Sequence, residues 1–200
     1  MKTRKDELVR LFKKNRGVLR FSQALEAGFL RKHLKALLDA AKIERIGRGI
    51  YALTGGPGLS NPDLVTVALK APKGVICLIS ALSYHHATDE VPHRVYVAIP
   101  RGLRAAKIDY PPVQYFRYAP ELWELGIETH TIDRHPVKIY SLAKTVADCF
   151  RYRNKIGLDV ARQALKIAVT EKKVRPTEIM RFAKACRMKN VIKPYVEALL

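Results

Sequence analysis

Residues 42–53, KIERIGRGIYAL, constrain the fold more than any other stretch of the chain. Apolar Ile43, Ile46, Ile50, Tyr51 and Leu53 interleave with Glu44 and Arg45 on either side of Gly47-Arg48-Gly49. Two short runs of this kind predict a β-hairpin, because glycine supplies the positive φ that a tight turn needs. Three helical patterns precede it. Thr3 caps the first, over about residues 4–15, with Asp6 and Glu7 in its first turn and Leu8, Leu11 and Phe12 as its apolar stripe. Gly17 ends it, and Val18, Leu19 and Phe21 read as an apolar connector. Ser22 is the expected N-cap of a short helix through Ala27, stopped by Gly28. A third helix spans about 30–41. Its Leu30, Leu34, Leu37, Leu38 and Ala41 share one face, and Lys32, Lys35, Ala36 and Asp39 lie opposite, flanked by Arg31 and Lys42.

The order of three helices and then a basic hairpin predicts a winged helix-turn-helix over residues 1–53. The run Thr54-Gly55-Gly56-Pro57-Gly58 reads as a linker, 54–60. It lacks the following Lys-Ser/Thr of a phosphate-binding loop. Residues 61–200 read as a second, α+β domain. Asn61, Pro62 and Asp63 open a helix to about Lys70. Val75–His86 is apolar and turns helical from Ser80. Four strand-like runs follow at 94–99, 113–118, 127–132 and 137–140, predicting a small, mainly antiparallel sheet. Ser141, Asp159 and Thr177 are the expected caps of three later helices, and 191–200 reads as a short last one. The fold class expected is α+β, with a helical C-terminal part.

The 200 residues carry 37 Lys and Arg against 18 Asp and Glu, a formal net charge of +19. A charge that large attracts polyanions. It is unevenly placed: residues 1–53 carry +9, 54–140 carry +1, and 141–200 carry +9. Charge confined to segments marks binding surfaces more than a solubility device. Cys77, Cys149 and Cys186 are widely spaced and odd in number, so no disulfide framework is expected. They sit in apolar runs, as core thiols do, which suits a reducing compartment. No secretory signal and no stretch of about 18 apolar residues is visible, so the cytoplasm is expected and no membrane partner.

Duplex DNA is the expected partner of the N-terminal part. Arg31, Lys32 and Lys35 on the solvent side of the third helix are placed for phosphates and base edges. Ser22 and Gln23, at the start of the second helix, are placed for a phosphate. Arg45 and Arg48 belong to the hairpin, and Arg48 at its tip suits a narrow minor groove or a phosphate. A charged, merely solvated face is the alternative. Farther on, Lys144, Arg151, Arg153, Lys155, Arg162 and Lys166 read as lying away from the apolar stripes of two successive helices, with Tyr152 among them. That pattern fits added nucleic-acid contact, an RNA grip, or plain solvation equally well.

His85, His86 and His93 fall close together but lack any metal-binding spacing. Ser80 and Ser83 lack a nucleophile elbow. Asp89-Glu90 is the only local acidic pair in the middle of the chain, and Asp109, Asp133 and Asp148 are separated by loops. A metal-dependent nuclease is therefore the weaker reading, no cofactor is expected, and an RNA-binding module is a third.

Two blocks carry a family resemblance: CLISALSYHHATDEVPHRVYVAIPR at 77–101 and YSLAKTVADCFRYRNKIGLDVARQAL at 140–165. The chain resembles the AbiEi-type antitoxins, which double as transcriptional regulators in phage-defence operons. The second block is the more specific. The resemblance implies a type IV toxin–antitoxin system with a nucleotidyltransferase-like toxin, opposed without a stable complex. It also implies repression of the protein's own operon at inverted repeats. It marks Lys144, Thr145, Asp148, Arg153, Asn154, Lys155 and Gly157 as family-motif positions. Lys144 and Asp148, at i and i+4, are also spaced to pair with each other.

Overall fold

A computed structural model of the chain describes residues 3–54 and 60–199. Residues 55–59 of the expected linker lie outside the described residues. The first unit runs α1 (Arg4–Lys14), β1 (Val18–Arg20), α2 (Phe21–Glu26), α3 (Arg31–Asp39), β2 (Ile43–Gly47) and β3 (Ile50–Leu53). Thr3 caps α1: its hydroxyl accepts the Asp6 N–H, and the Asp6 carboxylate accepts the Thr3 N–H at 3.1 Å. That pairing holds the Asp6 carboxyl below its ordinary range.

Three local expectations change. The apolar connector is strand β1, because Val18 and Arg20 pair antiparallel with Ala52 and Ile50 of β3, giving the sheet order β1-β3-β2. Ser22 is not the cap of α2. Arg20 holds that position, and its N–H donates to the Gln23 side chain at 2.9 Å. Leu30 leaves the apolar face to become the cap of α3, half exposed, and its N–H donates to His33 Nδ1 at 2.9 Å. Phe29 fills the core beside it.

The three-stranded sheet is apolar on both faces. Leu19 and Ile43 point to the core that holds Leu8, Phe12, Ala24, Leu34 and Leu37. Val18, Ile50 and Ala52 point the other way and pack with Ile46 and Leu69. Leu69 belongs to α4 (Pro62–Lys70), the first helix of the second unit.

That unit continues β4 (Val75–Ile76), α5 (Leu78–Tyr84), β5 (Val95–Pro100), β6 (Val113–Tyr118), α6 (Pro120–Glu124), β7 (Ile127–Ile132) and β8 (His135–Tyr140). α7 (Leu142–Arg151), α8 (Arg153–Ile156), α9 (Leu158–Thr170), α10 (Pro176–Ala185) and α11 (Lys189–Glu197) complete it. The strand order is β6-β5-β4-β8-β7. The sheet is mixed, not mainly antiparallel: β5/β6 and β4/β8 are parallel, β4/β5 and β7/β8 antiparallel. Connection length explains this. Asp133 and Arg134, both at positive φ, make a two-residue hairpin turn between β7 and β8. Residues 101–112 instead carry the chain back across the sheet before β6, as parallel pairing requires. Val97, Ile99, Val137 and Ile139 face α4. Ala98, Phe116, Tyr118 and Tyr140 face the layer of α7, α9 and α10. Among the described residues, no helix is long and apolar enough to cross a membrane.

Candidate nucleic-acid interface

Burial of Leu34 and Leu37 fixes the rotation of α3, so Arg31, Lys32 and Lys35 point to solvent. The Arg31 guanidinium lies 5.1 Å from the centroid of the Phe21 ring. In the hairpin, Arg45 Nε donates to the Gly47 carbonyl at 3.3 Å. Arg31, Lys35, Arg45 and Arg48 all line one open cleft of about 790 Å³. Of the other expected contacts, Lys32 and Ser22 are exposed outside it, and Gln23 is half-buried and committed to the Arg20 N–H.

The far wall of the cleft comes from the second unit: Lys70, Lys107, Ile108, Asp109 and Tyr110. Nothing in the local sequence pattern marks these residues. Lys70 reads as an ordinary C-terminal helix cation, and residues 101–112 as a loop. Yet the hairpin tip rests on them. Gly49 has φ +71°, as the turn demands. Gly47 has no such φ, but a Cβ there would stand 3.3 Å from Thr66 Cγ2, a tight contact. Arg48 Nη1 is 3.4 Å from Asp109 Oδ2, and Lys70 Nζ donates to the Arg48 carbonyl. The Arg48 side chain remains 72 % exposed, so the ion pair is worth about 1 kcal/mol at most. Burial lowers the Lys70 pKa, and Arg20, Arg48 and Arg45 lower it further against the opposing pull of Asp109. The cleft is thus crowded with cations.

The expected C-terminal basic face divides. Asn154, Lys155, Arg162 and Lys166 are exposed, and Arg151 and Arg153 are half-buried. Lys155 Nζ lies 5.8 Å and 5.9 Å from the rings of Phe116 and Tyr152, and Arg151 Cζ lies 5.7 Å from Tyr152. Arg153 donates to the Phe150 carbonyl at 2.9 Å, and Arg162 sits 3.6 Å from Asp159.

Lys144 and Asp148 are not on that face. Both side chains are fully buried, and they pair at 2.5 Å. Tyr118 OH donates to Asp148 at 3.1 Å, Cys186 Sγ donates to it at 3.4 Å, and Lys144 Nζ lies 4.5 Å from the Tyr140 ring centroid. α7 is sandwiched between the sheet and the later helices, and spacing of one turn lets the two charges satisfy each other there. Gly126, at φ +70°, has to be small, since a Cβ would lie 2.8 Å from the Lys144 stem. Burial pushes the Cys77, Cys149 and Tyr118 protons well above their ordinary range and the Cys186 thiol to about 11, with Asp148 adding to each.

The histidines do not converge. His85 Nε2 donates to the Tyr140 carbonyl at 2.8 Å, whereas His86 and His93 line a separate pocket of about 380 Å³. Burial lowers the His85 pKa. Ser80 ties α5 to the sheet, accepting the Tyr96 N–H at 3.0 Å and donating to the Arg94 carbonyl. The carboxylates a nuclease would use are dispersed: Asp89 on Gln163, Asp109 on Arg48, Asp133 on the Ser60 and Asn61 N–H groups, Asp148 on Lys144. Among the described residues, no three His, Cys, Asp or Glu side chains form a group able to hold a metal ion.

Comparison with known proteins bears on both units. A solved structure titled "Crystal structure of RV2827C protein from Mycobacterium tuberculosis" is similar in fold, with a TM-score of 0.50 at 14 % identity. The match covers 96 % of this chain and 79 % of that one, so the fold likeness spans both units. No curated protein matches the sequence. The sequence model of the family described as "Transcriptional regulator, AbiEi antitoxin" matches residues 6–54, the span from α1 to the end of the hairpin. The winged-helix unit of this chain is thus similar to that of the family described as AbiEi antitoxins and transcriptional regulators.

Proposed function

We propose that the chain is a DNA-binding autorepressor and the antitoxin of a two-gene phage-defence system. The observation that carries the DNA-binding part is the convergence of Arg31, Lys35, Arg45 and Arg48 on one open cleft of the winged-helix unit. In this reading α3 enters the major groove of an operator built of inverted repeats, and the hairpin lies along the adjacent backbone. The antitoxin part rests on the family description of residues 6–54 and on the sequence resemblance of residues 140–165, which span α7, α8 and part of α9. It has the protein oppose a nucleotidyltransferase-like toxin without a stable complex. The residues available for that role are the exposed Asn154, Lys155, Arg162 and Lys166 and the half-buried Arg151 and Arg153. Lys144 and Asp148 act there only by holding α7 in place.

Titration of the full chain against duplex DNA from upstream of its own gene, with structured RNA as competitor, tests the DNA reading. Arg31→Ala/Lys35→Ala is expected to weaken binding and to lower the slope of log affinity against log salt by about two. Arg48→Ala is expected to lower it by about one. Binding that is salt-independent, or that RNA displaces more readily than duplex does, overturns it. Co-expression with a neighbouring nucleotidyltransferase-like gene tests the antitoxin reading. Growth should be restored by the full chain, and unrelieved toxicity refutes it.

A further inference from the structure

We infer that the second unit completes the DNA surface, with Lys70 and Lys107 contacting backbone phosphates beside the hairpin and Asp109 limiting how tightly that contact closes. This rests on the reading of the winged helix as a DNA-binding unit. Three observations carry it. First, the second unit is fixed against the hairpin: Val18, Ile50 and Ala52 are buried with Leu69, the residue next to Lys70. A duplex approaching α3 therefore meets both units as one surface. Second, Lys70 and Lys107 line the same cleft as Arg31, Lys35, Arg45 and Arg48, and Asp109 is the single carboxylate among the residues lining it. Six cations facing one anion suit a duplex, which presents a phosphate charge about every 1.7 Å of its axis.

Third, the segment that carries Lys107 is held in place. Tyr115 OH donates to the Ala106 carbonyl at 2.8 Å, and Arg117 donates to the Leu103 carbonyl at 2.7 Å. A cation on a braced segment loses less conformational freedom on meeting a phosphate than one on a free chain. Asp109 stands where a phosphate oxygen would stand, against the Arg48 guanidinium. It gives way to the polyanion at a cost that its neutralisation removes.

The test uses the full chain and a fluorescently labelled duplex of mixed sequence, since phosphate contact does not depend on sequence. Lys107→Ala is expected to weaken binding about three- to tenfold and to lower the salt slope by about one. Lys107→Glu should weaken it further, and Lys70→Ala should act as Lys107→Ala does. Asp109→Asn should tighten binding, and weaker binding overturns its role. Arg31→Ala/Lys35→Ala runs in parallel. If that variant loses affinity while both lysine variants keep wild-type affinity and slope, the second unit is no part of the surface and the DNA reading stands. If the wild-type chain fails to bind duplex at all, both fall.

Discussion

Gly47 and Gly49 look alike in the sequence and are glycine for different reasons. Gly49 needs its φ, whereas at Gly47 a Cβ would press on Thr66. Only the first was legible, because a turn is a local event and the approach of Thr66 is not. Lys144 makes the same point more strongly. Its spacing to Asp148 announced a pair, but a lysine on a helix reads as a surface residue, and this one is buried. Lys144→Met should destabilise the protein by about 3–5 kcal/mol, because it leaves the Asp148 charge uncompensated in the core. Adding Asp148→Leu should recover much of the loss. Urea unfolding, followed by the fluorescence of Trp123, the one tryptophan, measures both. A single variant as stable as wild type would show that the pair holds nothing.

At the scale of elements, the helices were the legible part. α1, α3, α4 and α7 follow periodic apolar stripes, and Thr3 and Ser141 cap α1 and α7 as expected, whereas Gly157 and Arg175, not Asp159 and Thr177, take the cap positions of α9 and α10. β1 was missed because three residues hold no period, and its identity comes from pairing with β3, which lies far along the chain at Ile50–Leu53. The mixed sheet was missed because strand direction depends on the path of residues 101–112, not on the strands themselves. Packing of α7 on α10 has a consequence for pH. Burial raises the Cys186 thiol from 9.0 to about 11, and Cys77 and Cys149 shift the same way. Raised thiol pKa values favour the folded state fully below about 9 and lose that contribution as pH climbs toward the folded values. The melting temperature should therefore hold to about pH 9 and fall above it, by up to about 1.4 kcal/mol of stability per pH unit for each such thiol. Cys186→Ala should flatten that fall. A flat profile in the wild-type chain would contradict it.

For the molecule as a whole, the +9, +1, +9 distribution of charge marks both ends alike, and the order of helices and hairpin is what singles out the N-terminal one. The distribution could not show that the near-neutral middle lends Lys70 and Lys107 to the same cleft. Composition averages over a segment, and a cleft selects single residues from it. Nor did the glycine-rich stretch after Thr54 reveal how closely the two units pack across it. That packing predicts the behaviour of a fragment. Residues 1–54 alone should expose Val18, Ile50 and Ala52, bind a hydrophobic dye and self-associate in sedimentation, where the full chain does neither. A fragment that is monomeric and as heat-stable as the whole would refute the interface.

The same two-faced sheet governs how the protein can be re-engineered. A winged helix is usually treated as a cassette that can be lifted from one regulator and grafted to another. Here the cut at residue 54 passes beside a shared core, so a transplant without α4 would leave Leu69 bare on the donor and the hairpin bare on the graft. On the proposed DNA-binding reading, retargeting is a matter of exchanging side chains on α3, with the scaffold left whole.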